Sequence, residues 1–351
     1  MIQKKSIRLN LFKVILKNKF SAGTVFLCLK SYIGNPCTLL FIALLTLNFF
    51  NASAQQNESA DKIFNRAYHY ISVDREKALS LLNKAIALDS AHADAYFHRG
   101  VIYFKKEVYE KALADFSQVL ALQPERSLMY MYKGFSHRNN GDLNAAMNAF
   151  SHYITLHPRD TSAYSYLLRG KMKYELGDFE GAAADYGTAL DLEPFEEKYQ
   201  YYRFLALFEA KQYSKALEAV DRLIEINGDF YGYYFYKGNV YLAMQKYQSA
   251  IHMYNIAIIK NYQNADSYFQ RATAYEALEK YNEAIEDYNT AILLKPDDGT
   301  FYSGRGNCKY DMGLKKAACE DWNEAGALGY YEDFDKMKDV CEALKQNQGQ
   351  E

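Results

Sequence analysis

From Ile63 onward the chain repeats one local pattern: apolar and aromatic residues at spacings of three and four, in short runs separated by a polar turn such as Gly141-Asp142 or Gly177-Asp178. That spacing gathers the apolar side chains on one face of a helix, whereas a strand would need alternation. Each pair of runs predicts two amphipathic helices joined by a tight turn. Pro124, Pro158, Pro194 and Pro296 fall where four of the second helices would have to stop.

The pattern has a long period. Arg99-Gly100 returns as Lys133-Gly134, Arg169-Gly170, Arg203-Phe204, Lys237-Gly238, Arg271-Ala272 and Arg305-Gly306, the second members 34 residues apart except for one interval of 36. Twelve residues beyond each lies an Ala: Ala112, Ala146, Ala182, Ala216, Ala250, Ala284 and Ala318. Four further on stands an aromatic (Phe116, Phe150, Tyr186, Tyr254, Tyr288, Trp322), with Val220 the exception. A Tyr recurs four residues before the small position, as Tyr96, Tyr130, Tyr166, Tyr234, Tyr268 and Tyr302. Small residues let two helix backbones approach while large rings fill the gaps to neighbours, so an excess of 33 Tyr and 21 Phe is first of all packing.

A charged pattern runs in the same register. Where the second helix carries Asp115, Asp185, Asp287 or Asp321, the first carries Arg99, Arg169, Arg271 or Arg305 sixteen residues earlier. Where that site is Ala149 or Met253 the partner is Lys133 or Lys237, and only Arg203, facing Ala219, breaks the rule. An Arg–carboxylate bridge across each hairpin follows, suited to a bidentate contact.

These positions together resemble the tetratricopeptide repeat family over about residues 93 to 330. The resemblance implies an all-α fold: a right-handed α-solenoid of about eight helix-turn-helix units with a C-terminal capping helix. The units fall near 62–92, 93–126, 127–160, 163–196, 197–230, 231–264, 265–298 and 299–332, with the cap at 333–344, so the array spans 63–344. The first unit has a turn one residue short, and the fifth has Phe204 for the small residue and Gly228 for the Pro. Residues 345–351 read as a disordered tail.

The start of the chain reads differently. Residues 1–54 hold seven basic residues, from Lys4 to Lys30, and no acidic one, then the uncharged run Thr38–Phe50 and the sequence Asn51-Ala52-Ser53-Ala54. That order predicts a signal peptide with a long basic leader, cleaved after Ala54 and followed by a linker at 55–62. An uncleaved membrane anchor and a cytosolic protein are the alternatives. Setting those seven aside leaves 34 basic against 43 acidic residues, a net charge of −9, which repels phosphate backbones and argues against a nucleic-acid partner.

Motifs for metal, nucleotide or acyl-transfer chemistry are missing, and the seven His are scattered without ligand spacing. The expectation is no catalytic residue, no metal and no cofactor. Cys319 and Cys341 could bridge the cap to the last hairpin, with Cys308 a rival partner and three free thiols the other outcome.

Family resemblance also implies where a partner binds: a stripe along the first helices. It comprises Phe97, Val101, Phe104; Met131, Phe135, Arg138; Leu167, Lys171, Tyr174; Tyr201, Leu205, Phe208; Phe235, Asn239, Leu242; Phe269, Thr273, Glu276; and Ser303, Asn307, Tyr310. The Lys and Asn set with which chaperone-adaptor members clamp a carboxylate is absent, its sites being Phe97, Met131 and Val101. The expected function is a non-enzymatic bacterial scaffold or adaptor, periplasmic or secreted, that binds a protein, as a peptide or helix, in an aromatic groove. A membrane-anchored tether, touching membrane only if the leader stays attached, and a glycan binder are the alternatives.

Overall fold

The computed structural model describes residues 58–157, 162–331 and 338–343. The expected leader at 1–54, part of the linker and cap, and the tail at 345–351 lie outside the described residues. Among the described residues there is no strand. The helices are α1 (Ala60–Tyr70), α2 (Arg75–Leu88), α3 (Ala93–Lys105), α4 (Tyr109–Leu122), α5 (Leu128–Asn139), α6 (Leu143–Leu156), α7 (Ala163–Glu175) and α8 (Phe179–Leu192). They continue as α9 (Glu197–Glu209), α10 (Tyr213–Ile226), α11 (Tyr231–Ala243), α12 (Tyr247–Lys260), α13 (Ala265–Glu276), α14 (Tyr281–Leu294), α15 (Gly299–Asp311) and α16 (Lys315–Ala327). The chain divides into two compact units, one ending at Ile102 and the other beginning at Tyr103.

In the first unit α1 packs on α2. Ser59 and Asp74 cap these helices by accepting from the Lys62 and Lys77 amides. Ala67 and Ala78 are fully buried at the contact. Ala67 sits one residue late for the period, and the shorter turn that results has no left-handed residue.

In the second unit α5/α6, α7/α8, α9/α10, α11/α12, α13/α14 and α15/α16 form successive hairpins, each packed on the next. Every turn places one residue in the left-handed region, as at Gly141 (φ 84°) and Gly177 (φ 82°). Glycine accepts that conformation without steric cost, and the Asp that follows caps the second helix: Asp142 accepts from the Ala145 amide at 3.0 Å and Asp178 from Gly181 at 2.9 Å.

The small position meets the aromatic sixteen residues on. A Cβ built at Gly134 or Gly238 would collide with the rings of Phe150 or Tyr254, and at Gly170 and Gly306 it would lie 2.6 Å from Tyr186 and 2.7 Å from Trp322. Enlarging these sites costs about 1–3 kcal/mol by overpacking. The fifth unit reverses the pair: Phe204 and Val220 are both buried in one cluster, the large residue now coming from the first helix. Two apparent departures in the sequence are thus one reversal, with the large ring on the first helix and the smaller residue on the second.

The Arg–Asp pairs of the second unit are two-pronged. Arg169 donates from Nε and Nη2 to Asp185 at 2.8 and 2.6 Å, Arg271 to Asp287 at 2.7 and 2.6 Å, and Arg305 to Asp321 at 2.9 and 2.6 Å. Lys173 and Lys309 add a third contact to Asp185 and Asp321 at 3.0 and 2.7 Å. Arg271 and Arg305 also donate backwards, to Asn255 at 2.5 Å and Asn289 at 2.6 Å on the preceding hairpin. Lys237, with Met253 where the Asp would be, bonds Asp221 of the preceding hairpin at 2.6 Å.

At the C-terminal end Cys319 and Cys341 form a disulfide, 22 residues apart in sequence. The helical stretch 338–343 carries Val340 and Cys341 onto Ala318 and Trp322. Cys308 is a buried free thiol; burial, with Glu276 next to it, pushes it well above the ordinary thiol range.

Asp185→Ala leaves two cations facing a hole and should cost about 1–3 kcal/mol in a urea melt; a loss under about 0.3 kcal/mol would mean that the bridge is effectively solvated. For the reversed pair, Phe204→Ala should cost about 3–5 kcal/mol and Val220→Tyr about 1–3 kcal/mol, yet the double variant, which rebuilds the Ala272/Tyr288 arrangement, should recover most of the combined loss. Alkylation of denatured, unreduced protein should leave Cys319 and Cys341 unmodified while Cys308 reacts; mass spectrometry showing all three modified would remove the bridge.

Candidate partner-binding surface

In the second unit the first helices of consecutive hairpins touch one another, α11 with α13 and α13 with α15, whereas no contact as extensive joins the second helices. The first helices therefore lie on the inner side of the stack. The stripe read from the sequence falls on this side, and most of its members are half-buried: one flank of each packs into a hairpin and the other faces outward.

The inward flank rests on the buried rings of the second helices. Phe135 meets Phe150 edge-on at 5.6 Å, Phe235 lies 6.0 Å from Tyr254, Phe269 5.9 Å from Tyr288, and Tyr310 5.5 Å from Trp322. Phe104 meets Tyr109 at 5.8 Å, Tyr174 meets Phe179 at 5.1 Å, and Phe208 sits between Phe204 and Tyr213. Tyr201 pairs with Tyr236 of the next hairpin, ring to ring at 5.8 Å and hydroxyl to hydroxyl at 3.3 Å. Burial pushes the Tyr174 and Tyr236 phenols above their ordinary range, so both are neutral hydrogen-bonding groups at physiological pH.

Polar groups along the stripe are few and held. Lys171 Nζ lies 4.4 Å from the centre of the Tyr202 ring, and the Arg138 guanidinium 5.7 Å from that of Phe135. Asn239 accepts from the Tyr254 hydroxyl at 2.8 Å and Asn307 from the Trp322 indole at 3.1 Å, so both carbonyl oxygens are engaged within the hairpin. Glu276 likewise accepts from Tyr288 at 2.8 Å.

Three stripe positions are not part of an accessible wall. Met131 is 8% exposed and packs with Leu168 and Met172 of the next first helix, and Leu167 and Ser303 are buried too. The neighbouring hairpin covers Met131, a consequence of stacking that spacing within one helix does not contain. Phe97 and Val101 belong to the first compact unit; both are half-buried there, Phe97 edge-on to His98 at 5.0 Å. Sequence reasoning passed over Tyr202 and Tyr236, half-buried neighbours of the stripe that a count of aromatics per first helix would have found. No cluster of His, Cys, Asp or Glu suited to a metal occurs among the described residues.

Such an arrangement, stacked hairpins presenting a partly open aromatic face, defines a class of helical-repeat scaffold that acts by holding other proteins. Tetratricopeptide repeat profiles match residues 93–126, 265–298 and 167–229. Among the solved structures that share the fold are these two. One is a tetratricopeptide repeat protein from Parabacteroides merdae, at 20% identity over 71% of this chain and 96% of that one, with a TM-score of 0.51. The other is the C-terminal part of a TPR repeat-containing protein from Cytophaga hutchinsonii, at 18% identity over 69% of this chain and 98% of that one, with a TM-score of 0.55. No curated protein matches the chain significantly. The chain thus carries tetratricopeptide repeats over these matched stretches, which support a coarse role as a protein–protein interaction scaffold.

Proposed function

We propose that the second unit grips an extended segment or helix of a partner protein along the inner side of its first helices, and that it does so in the cell envelope. The observation that carries this reading is the succession Phe135, Tyr174, Phe208, Phe235 and Tyr310, each anchored on one flank and open on the other. Rings held rigidly on one side lose little entropy on binding, which makes them efficient contacts for an apolar segment. Asn239, its carbonyl oxygen already engaged by Tyr254, has amide hydrogens that can reach a partner's backbone carbonyl.

Export is supported by the order of basic, apolar and small residues before Gln55 and by a Cys319–Cys341 disulfide, which persists in oxidising compartments.

The test is affinity capture from a cell-envelope extract with wild type and a Phe104→Ser, Phe208→Ser, Phe235→Ser variant whose helicity is verified by circular dichroism. Wild type should retain a defined partner that the variant loses at least tenfold, about 1.4 kcal/mol. Equal recovery by the two folded baits would show that the inner side is not the contact surface.

A further inference from the structure

The fifth hairpin keeps its Arg but loses everything that holds Arg elsewhere in the second unit. Arg169, Arg271 and Arg305 each lie over the ring of the Tyr three residues before, at 5.5–5.6 Å from its centre, and each is forked by the Asp sixteen residues on. Arg271 and Arg305 also hold the Asn sixteen residues back. Around Arg203 those three places are Gln200, Ala219 and Gly187. Gln200 turns away and donates to the Ala219 carbonyl at 2.9 Å, and a Cβ on Gly187 would stand 3.8 Å from Arg203 Nε. Among the described residues Arg203 makes no hydrogen bond or ion pair.

Space accompanies the unmatched charge. Arg203, Gln200 and Ala219 line an open cleft of about 1000 Å³, whose apolar margin is formed by Pro194, Phe195 and Ile226, with Phe195 89% exposed. Of the acidic groups at the cleft, Asp221 is bonded to Lys237 at 2.6 Å and Glu225 to Arg222 at 2.7 Å; Glu218 lies on the exposed side of α10, next to Ala219. A guanidinium is always charged, and its fork selects planar carboxylates.

We propose that this cleft is a second binding site, which takes a carboxylate of a protein segment into the place that Asp185, Asp287 and Asp321 fill in their own hairpins, with an adjacent apolar residue against Phe195 and Ile226. Arg203 forks the incoming carboxylate and Ala219 supplies its room. The site sits beside the second helix α10, not on the stripe of the first helices, so it does not rest on the wall reading: the wall variant leaves it whole, and the variants below leave the wall whole.

Ala219→Asp supplies the carboxylate from within the chain. It should raise the melting temperature above that of Ala219→Asn, and Arg203→Ala in the same chain should abolish the gain. The binding probe is a library of random octapeptides made twice, with free and with amidated C-termini, retained on the immobilised full chain and read by mass spectrometry. Wild type should enrich peptides carrying a carboxylate next to an apolar residue, and both Arg203→Ala and Ala219→Asp should retain them at least tenfold less. Enrichment surviving amidation assigns the carboxylate to an Asp or Glu side chain; enrichment confined to the free-acid library assigns it to a C-terminus. Enrichment that is absent from wild type or equal in the three proteins, or an Ala219→Asp variant no more stable than Ala219→Asn, would overturn the proposal.

Discussion

One constraint governs the second unit: two helices of a hairpin must approach closely enough for a backbone to lie against a ring. The Gly at 134, 170, 238 and 306 has no room for a methyl group, because Phe150, Tyr186, Tyr254 and Trp322 occupy it. Phe204 and Val220, both buried in one cluster, show that either helix can supply the large residue. Even so, the exchange alters the surroundings of Arg203, one residue before the displaced ring.

The charged forks are a second layer laid over that packing. Burial pushes the Asp287 carboxyl up, and the hydrogen bonds from Arg271 only partly offset it. A pair in this position contributes little against an apolar pair of equal volume, yet breaking it strands a charge. Its value lies in alignment: an Arg that reaches forward to Asp287 and backward to Asn255 ties two hairpins in one register. Lys237 obtains the same tie with one contact to Asp221.

Much of this was legible in the sequence because it repeats. The period fixed the hairpins, and the covariation of Arg169, Arg271 and Arg305 with Asp185, Asp287 and Asp321 disclosed the forks before any coordinate. What escaped does not repeat, or involves two units at once. Lys173 and Lys309 join an Asp in two hairpins, while Tyr275 stands at that place in a third. Met131 looks like wall on its own helix and is covered by Leu168 and Met172 of the next. Asn239 and Asn307 are placed on the stripe by spacing alone, which does not disclose that Tyr254 and Trp322 bond them. The cleft at Arg203 was visible only as a broken rule, since three separate substitutions had to be placed around one side chain.

The bond between Cys319 and Cys341 has a mechanical consequence for an assembly in which each hairpin rests on its neighbours. Linear stacks lose order from their free ends, where a terminal element has a partner on one side only. Stapling the closing segment to α16 makes peeling from that terminus costlier in an oxidising setting. Reduction would release the latch, so the redox state of the surroundings becomes a dial on how long the last hairpin keeps its order.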